Sequence, residues 1–277
     1  MQYASQPYAH TADGQRRRMK NINYGERVIL IDHKSRRHMV KLKETGRFSS
    51  QYGFIDHNDI IEAGDGGTAK TNKNFTYRIF TTTYTDYVMN LKRNAQIIYP
   101  KDTAQMLMEA DIYPGLNVLE SGIGQGALSM ALLRALGNQG RLTTYEIRED
   151  FAEQSKQFID DFCRDLTEIH DIRIGNIYEG FEGIYDRILL DVPEPWHVIE
   201  HTKNGLINGG IIVSYIPTIL QVKTYVDTLK SAGYFADLST FEIIKRPWKV
   251  DGLSVRPEMW MYNHSAFIVR ARKTADA

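Results

Sequence analysis

Residues 117–128 read NVLESGIGQGAL, and this stretch decides the fold. NVLES is a short apolar run suited to a buried strand, and GALSMALLRAL after it has the apolar content of a buried helix. Gly122, Gly124 and Gly126 stand at the turn between them. Glycines are needed there because the turn is tight and a ligand must approach backbone amides left free at a helix N-terminus. The string fits a G-x-G-x-G pattern and, through Ala127, the dinucleotide pattern G-x-G-x-x-A, so alone it does not choose between two ligand classes. Both classes use an acidic residue about twenty positions further on, at the end of the second strand, to accept hydrogen bonds from ribose hydroxyls. Glu146, closing TTYE, stands there.

Working outward toward the C-terminus, strands and helices alternate. RLTTYEI, DIRIG, DRILLDV and GIIVSYI read as strands; EDFAEQSKQFIDDF, WHVIEHTKNG and TILQVKTYVDTLKSAG read as helices. That alternation specifies an α/β fold with a parallel, doubly wound sheet. FEIIKR and SAFIVRAR, joined by about twenty residues without helical period, read as an antiparallel hairpin that closes it. Working outward toward the N-terminus, TDYVMNLK and DTAQMLMEA read as short helices on either side of Tyr99-Pro100. RVILI, RHMVKL and YRIFTTTY are rich in β-branched and aromatic residues and lie too close together for βαβ units, so they predict a compact antiparallel sheet or partial barrel. The expected organisation is a flexible basic arm over residues 1–23, a small β domain over 24–84, a helical connector over 85–116 and the α/β domain over 117–277.

Composition narrows the classes. The chain has 277 residues, 42% of them hydrophobic, enough for a sizeable core. Its 34 Lys plus Arg balance 34 Asp plus Glu, which argues against a wholly basic nucleic-acid coat and a highly charged disordered chain. The balance is uneven: residues 1–104 hold 17 basic against 10 acidic residues, and residues 105–277 hold 17 against 24. A +7 part joined to a −7 part suggests regions with different partners, although segregated solvated faces give the same sum. A single cysteine, Cys163, excludes an internal disulfide and a Cys-rich zinc site. No apolar run approaches the roughly eighteen residues that span a bilayer, and the polar N-terminus is unlike a signal peptide, so a cytoplasmic location is expected. Eight scattered histidines without ligand spacing give no metal site.

DRILLDVPEPW places Asp191 at the carboxyl end of a strand, where doubly wound sheets hold ligands, and two prolines then fix the exit of the chain. A carboxylate beside so rigid a backbone can hydrogen-bond an exocyclic amino group, and Trp196 can stack on or wall the pocket. The plainer alternative is an Asp capping the next helix and a Trp in the core.

QIIYPKD (residues 96–102), VLESGIGQGAL (118–128), LDVPEPW (190–196) and VSYIPTILQV (213–222) together resemble the tRNA adenine-N1 methyltransferases of the TrmI family, and HSAFIVRAR resembles that family's His-Thr-Ala-Phe-Leu ending. The resemblance runs in register from about residue 27 to residue 273. It implies a class I, seven-stranded Rossmann-like methyltransferase domain with a small N-terminal β domain, S-adenosylmethionine as cofactor, and a homotetramer. The implied substrate is N1 of the T-loop adenine at position 58 of tRNA, with some archaeal members also modifying position 57. By position, Gln96, Gly122, Gly124, Gln125, Gly126, Ala127 and Leu128 would hold the cofactor, Glu146 its ribose, and Asn176 would lie by its adenine. Asp191 would face both cofactor and target base, with Tyr99 and Tyr215 lining the target pocket. The chain departs from the common motif at Ile123 and Gln125, where a small hydroxyl residue often stands, and at Ser129, which replaces a frequent threonine; this leaves individual contacts open, not the cofactor.

N1 methylation leaves the adenine ring positively charged, so a carboxylate in the pocket would stabilise the developing charge and accept a proton from the exocyclic amine; Asp191 is the residue placed for it. Tyr99 and Tyr215 would flank the extruded base, because N1 is otherwise hidden in a folded T-loop. His264 and the segment RPWKVDGLSVRPEMW would close one side of the pocket. Arg16, Arg17, Arg18, Lys20, Arg36, Arg37, Lys41, Lys43, Lys92 and Arg93 are placed to follow tRNA phosphates. Three rivals stay open here: an NAD-dependent oxidoreductase, which leaves Asp191 to Trp196 unexplained; a non-catalytic tRNA-binding subunit, which leaves the retained acids unexplained; and an amino-group (N6) methyltransferase, which Asp-x-Pro also suits.

Overall fold

A computed structural model describes residues 22–91, 96–259, 261 and 263–275. The basic run at residues 16–18 with Lys20, together with Lys92, Arg93 and Trp260, lies outside them. The chain divides into two compact units, Met1–Asp86 and Tyr87–Ala277.

In the first unit the strands are β1 (Arg27–Ile31), β2 (Arg37–Lys41), β3 (Arg47–Ser50), β4 (Gly53–Asp56), β5 (Thr68–Lys70) and β6 (Thr76–Thr81), with helix α1 (His57–Ala63) between β4 and β5. Antiparallel pairing gives a four-stranded sheet in the order β2-β1-β6-β5, and β3 pairs with β4 as a separate hairpin. Val28 and Leu30 of β1, Ile55, Ile60 of α1, Tyr77 and Ile79 share one buried cluster. The three strands read from β-branched runs are β1, β2 and β6. The β3–β4 hairpin and α1 were not expected, because RFSS and GFID are short and mixed in polarity and HNDIIEA is too short to establish a helical period.

The second unit contains α3 (Pro100–Glu109), preceded by α2 (Tyr84–Met89), which straddles the boundary. Then follow β7 (Asn117–Ser121), α4 (Ala127–Leu136), β8 (Arg141–Glu146), α5 (Glu149–Phe162), β9 (His170–Ile174), β10 (Tyr185–Leu190), α6 (Ile199–Gly205), β11 (Leu206–Ile216), α7 (Ile219–Ala232), β12 (Phe235–Glu242), β13 (Trp248–Asp251), β14 (Ser254–Pro257) and β15 (Phe267–Lys273). The seven-stranded sheet has the order β12-β15-β11-β10-β7-β8-β9. Strands β7 to β11 pair parallel, and β15 runs antiparallel between β11 and β12. Central strands are buried on both faces, as parallel sheets require: Val118, Leu119, Ile188, Leu189 and Leu190 are wholly buried. Helix α4 buries eight of its ten residues, which explains its apolar composition.

The closing hairpin differs in detail from the expectation. FEIIKR contributes only Phe241 and Glu242 to a strand that begins at Phe235, and the connecting residues form the additional hairpin β13–β14. FADLSTFE sits at the sheet edge with a mostly exposed or half-buried pattern, so it lacks the apolar run by which a buried strand is read.

Chain order places the site. From β7 the chain moves to β8 and β9 on one side, and β10 and β11 then build the other side. The crevice outside the carboxyl ends of β7 and β10 is therefore the topological switch point, where doubly wound sheets bind ligands.

Candidate functional site

The loop leaving β7 is held in a conformation that glycine alone adopts freely. Gly122, Gly124 and Gly126 have φ of 92°, 52° and 74°. A Cβ on Gly122 would lie 2.0 Å from the carbonyl oxygen of Asp191, so this glycine lets the ends of β7 and β10 close on each other. The Asp191 amide donates to the Ser121 carbonyl at 2.8 Å, continuing the ladder to that point. A Cβ on Gly126 would come within 2.8 Å of Ile159, so the third glycine seats the loop on α5. The Ser155 hydroxyl also donates to the Gly124 carbonyl at 2.6 Å. Gln125, Ala127 and Leu128 are buried, and the Gln96 carbonyl lies opposite Gly124.

Two carboxyl groups stand at the strand ends beside this crevice, and a third is buried close enough to feel their charge. Glu146, at the end of β8, accepts from the Ile123 amide at 3.2 Å and from the Arg148 amide at 3.0 Å, which fixes it against the glycine loop. Asp191 is half-buried just beyond β10, and burial pushes its carboxyl up to about 7. Glu120, inside β7, is fully buried; burial pushes it up to about 7 against hydrogen bonds that Ser129 and Thr144 donate to its Oε2 at 2.7 and 2.8 Å. Its Oε1 has no protein partner. Among the described residues, no group of three or more His, Cys, Asp or Glu side chains is arranged to hold a metal ion.

Tyr99 and Tyr215 stand at the start of α3 and near the end of β11. Tyr99 is the N-cap of α3, with Pro100 at the first helical position, and its carbonyl accepts the amides of Asp102 and Thr103 at 2.9 and 3.0 Å. Tyr215, at the end of β11, is buried and donates its hydroxyl to Asp102 Oδ2 at 3.3 Å. Burial, together with the negative charges of Asp102 and Asp191, pushes the Tyr215 phenol well above its ordinary value, so it stays a donor.

Comparisons with known proteins fall on this architecture. Residues 74–266 match the family model described as the tRNA methyltransferase complex GCD14 subunit, and residues 21–68 match the TrmI-like N-terminal model. The chain is 34% identical over 271 residues to the tRNA (adenine(57)-N(1)/adenine(58)-N(1))-methyltransferase TrmI of Methanocaldococcus jannaschii, covering 88% of this chain and 94% of that protein. It therefore belongs to the TrmI family of tRNA (adenine-N1)-methyltransferases. The Thermus thermophilus TrmI is 31% identical over 250 residues, covering 89% of this chain and 96% of its own length. Among solved structures, a SAM-dependent O-methyltransferase from Thermotoga maritima superposes with a TM-score of 0.87 at 31% identity, covering 93% of this chain and 96% of that one. TrmI from Aquifex aeolicus superposes with a TM-score of 0.79 at 26% identity, covering 93% of this chain and all of that one.

Within the TrmI frame, the remaining expected residues have separate placements. Asn176 caps the short 3-10 turn Ile177–Glu179, accepting from the Tyr178 amide at 3.1 Å, at the carboxyl end of β9. Trp196 lies in the 3-10 turn Pro195–Val198, donates to His197 and lines a groove of about 550 Å³ with Ile199, Lys203 and Tyr234 on the α6–α7 side. It is thus placed beside those helices. His264 Nδ1 lies 2.8 Å from the Glu242 carboxylate and Nε2 lies 3.0 Å from the Pro217 carbonyl, so the ring braces the exits of β11 and β12. Those bonds, Pro217 first, raise its pKa. Arg36 and Arg37 pair with Asp32 at 2.7 Å and Asp86 at 2.5 Å, so each has an internal partner.

Sequence reasoning did not single out Glu120 or Asp102, which the structure shows buried and hydrogen-bonded close to the predicted residues. Glu120 carried a signal, an acidic residue in the middle of a buried strand. Asp102 carried little, because its partners Tyr215 and Ser265 are 113 and 163 positions away.

Proposed function

We propose that this chain transfers a methyl group from S-adenosylmethionine to N1 of the T-loop adenine at position 58 of tRNA. The observation that supports the reading is the close approach of the Asp191 backbone to Gly122, which makes this acidic residue a neighbour of the glycine loop at the switch point. The residues present suit the cofactor: three positive-φ glycines leave room for close backbone approach, and Glu146 stands at the loop to accept from a ribose. When bound, S-adenosylmethionine supplies a methyl group already activated on a sulfonium, so no protein nucleophile is required.

What remains for the protein is alignment and electrostatics. Asp191, ionised, stabilises the positive charge that N1 gains and accepts the proton released from the exocyclic amine. Tyr99 and Tyr215 flank the extruded base. Gln96, Gln125, Ala127, Leu128 and Asn176 line the cofactor side, and His264 acts by bracing the strand ends that carry Tyr215. Trp196, at the end of the DVPEPW turn, stacks on the base or walls its pocket. Basic residues of the arm and β domain follow tRNA phosphates.

The working assembly is a homotetramer. The support is the apolar surface on and beside β13–β14, where Trp248, Val250, Leu253, Val255 and Met259 are between 57% and 106% exposed in the single chain. Light scattering should give four times the 31.8 kDa chain mass. No helix among the described residues is long and apolar enough to cross a membrane. With tRNA as substrate, the compartment this reading assigns is the cytoplasm.

The experiment is mass spectrometry of nucleosides and T-loop fragments from an unmodified tRNA transcript incubated with the chain and S-adenosylmethionine. N1-methyladenosine at position 58 is expected, and the same fragments read position 57. N6-methyladenosine, or a product outside the T-loop, would overturn the reading.

A further inference from the structure

A buried ion pair lies beside the Tyr215 hydroxyl, in the first turn of the helix that Tyr99 caps. The Lys101 side chain is 8% exposed and that of Asp102 is 0% exposed. Lys101 Nζ donates to Asp102 Oδ1 at 2.7 Å, to Ser265 Oγ at 2.6 Å and to the Ile243 carbonyl at 2.7 Å, which uses all three ammonium protons. Asp102 Oδ2 accepts from Ser265 Oγ at 2.8 Å and from the Tyr215 hydroxyl at 3.3 Å. Every polar atom named has a partner, and the donor directions are consistent throughout: lysine to serine, serine and tyrosine to carboxylate. The carboxylate also sits in the first turn of α3, where the helix dipole favours negative charge.

A buried pair of this kind is poor evidence for stability, because desolvating two ions offsets most of their attraction, and hydrophobic replacements are often neutral or better. What the pair does here is join three segments remote in sequence: the α3 turn capped by Tyr99, the end of β11 that carries Tyr215, and the residues flanking β12 and β15. We infer that Lys101, Asp102 and Ser265 are positioning residues for methyl transfer, holding the Tyr215 ring by its hydroxyl and the Tyr99 turn by the same helix start, so that the two rings present a preformed slot to the target base. The inference rests on the base-flanking roles proposed above for Tyr99 and Tyr215. Asp102 acts through Tyr215, with the hydroxyl as a tether and not as an acid.

A double-mutant cycle of Asp102→Asn and Tyr215→Phe tests it, with single-turnover tRNA methylation and S-adenosylmethionine titration calorimetry read on each variant. Asn keeps the shape of Asp102 but removes its charge, and Phe keeps the ring but removes the tether. Each single variant is expected to lose about tenfold in methylation rate, the double variant no more than either, and cofactor affinity to stay within about twofold. Losses that multiply in the double variant, or a wild-type rate in Asp102→Asn, overturn the inference. If Asp102→Asn does not fold, Ser265→Ala takes its place in the cycle, with the same two outcomes. Tyr215→Ala separates this from failure of the pocket reading: a wild-type rate in that variant refutes the base-flanking role itself, whereas a slow Tyr215→Ala with a wild-type Asp102→Asn refutes only the positioning network.

Discussion

Asp191 is a carboxyl group raised to about 7 at the mouth of the crevice, and that value has two measurable consequences. The ionised form is the one that stabilises a cationic product, so kcat/KM should rise with pH up to about 7 and level off above it. At saturating S-adenosylmethionine a nearby sulfonium would favour the carboxylate, and the limb should shift to lower pH. A flat profile between pH 5.5 and 8 would contradict this. For stability, the folded pKa lies above the ordinary value of about 4, so the contribution of Asp191 is fully present below about pH 4 and is lost as pH rises through about 7. Asp191→Asn should therefore melt higher than the wild type at pH 8, with the gap shrinking as pH falls toward 4; a constant gap would show that Asp191 is not desolvated. Gly122→Ala is expected to abolish cofactor binding by calorimetry, because its Cβ would overlap the Asp191 carbonyl. Asp191 and Glu146 were legible in the sequence because strand ends and glycine turns are local patterns. The tether of Tyr215 to Asp102 was not, because nothing local links residues 113 positions apart.

Elements in the second unit were legible where period and composition agreed. Helix α7 buries Val222, Tyr225 and Leu229 at helical spacing, with Thr218 as N-cap and Gly233 in the left-handed conformation at its end. The edge strand β12 and the short α1 were not legible: one is too polar and the other too short for a period to register. One device is invisible to pattern reading. Lys273, at the end of β15, is buried and donates to the carbonyls of Thr202, Lys203 and Leu206, closing the C-terminus of α6. Lys273→Met should lower unfolding stability by about 1–3 kcal/mol in urea, since it leaves those buried carbonyls without their donor. An unchanged midpoint would show that water replaces the ammonium.

At the scale of the molecule, the zero net charge conceals an excess of basic residues in the first 104 positions and of acidic residues in the remainder. Arg36 and Arg37 already have acidic partners, which shifts the expected phosphate contacts toward the arm. tRNA affinity should fall steeply with salt and on deletion of residues 1–21, which spares the buried Ile22 of the β unit, while S-adenosylmethionine affinity stays within about twofold in both cases. A salt-independent tRNA affinity would leave the charge division without a role.

On the proposed function, the carboxylate of Asp191, whose backbone abuts the glycine loop, carries the chemistry. The most direct test is the single-turnover rate of N1 methylation by Asp191→Asn, read by nucleoside mass spectrometry beside the wild type, with cofactor affinity measured on the same preparations. The expected result is a rate lower by about a hundredfold or more with cofactor affinity nearly unchanged. A wild-type rate in the Asn variant would contradict it.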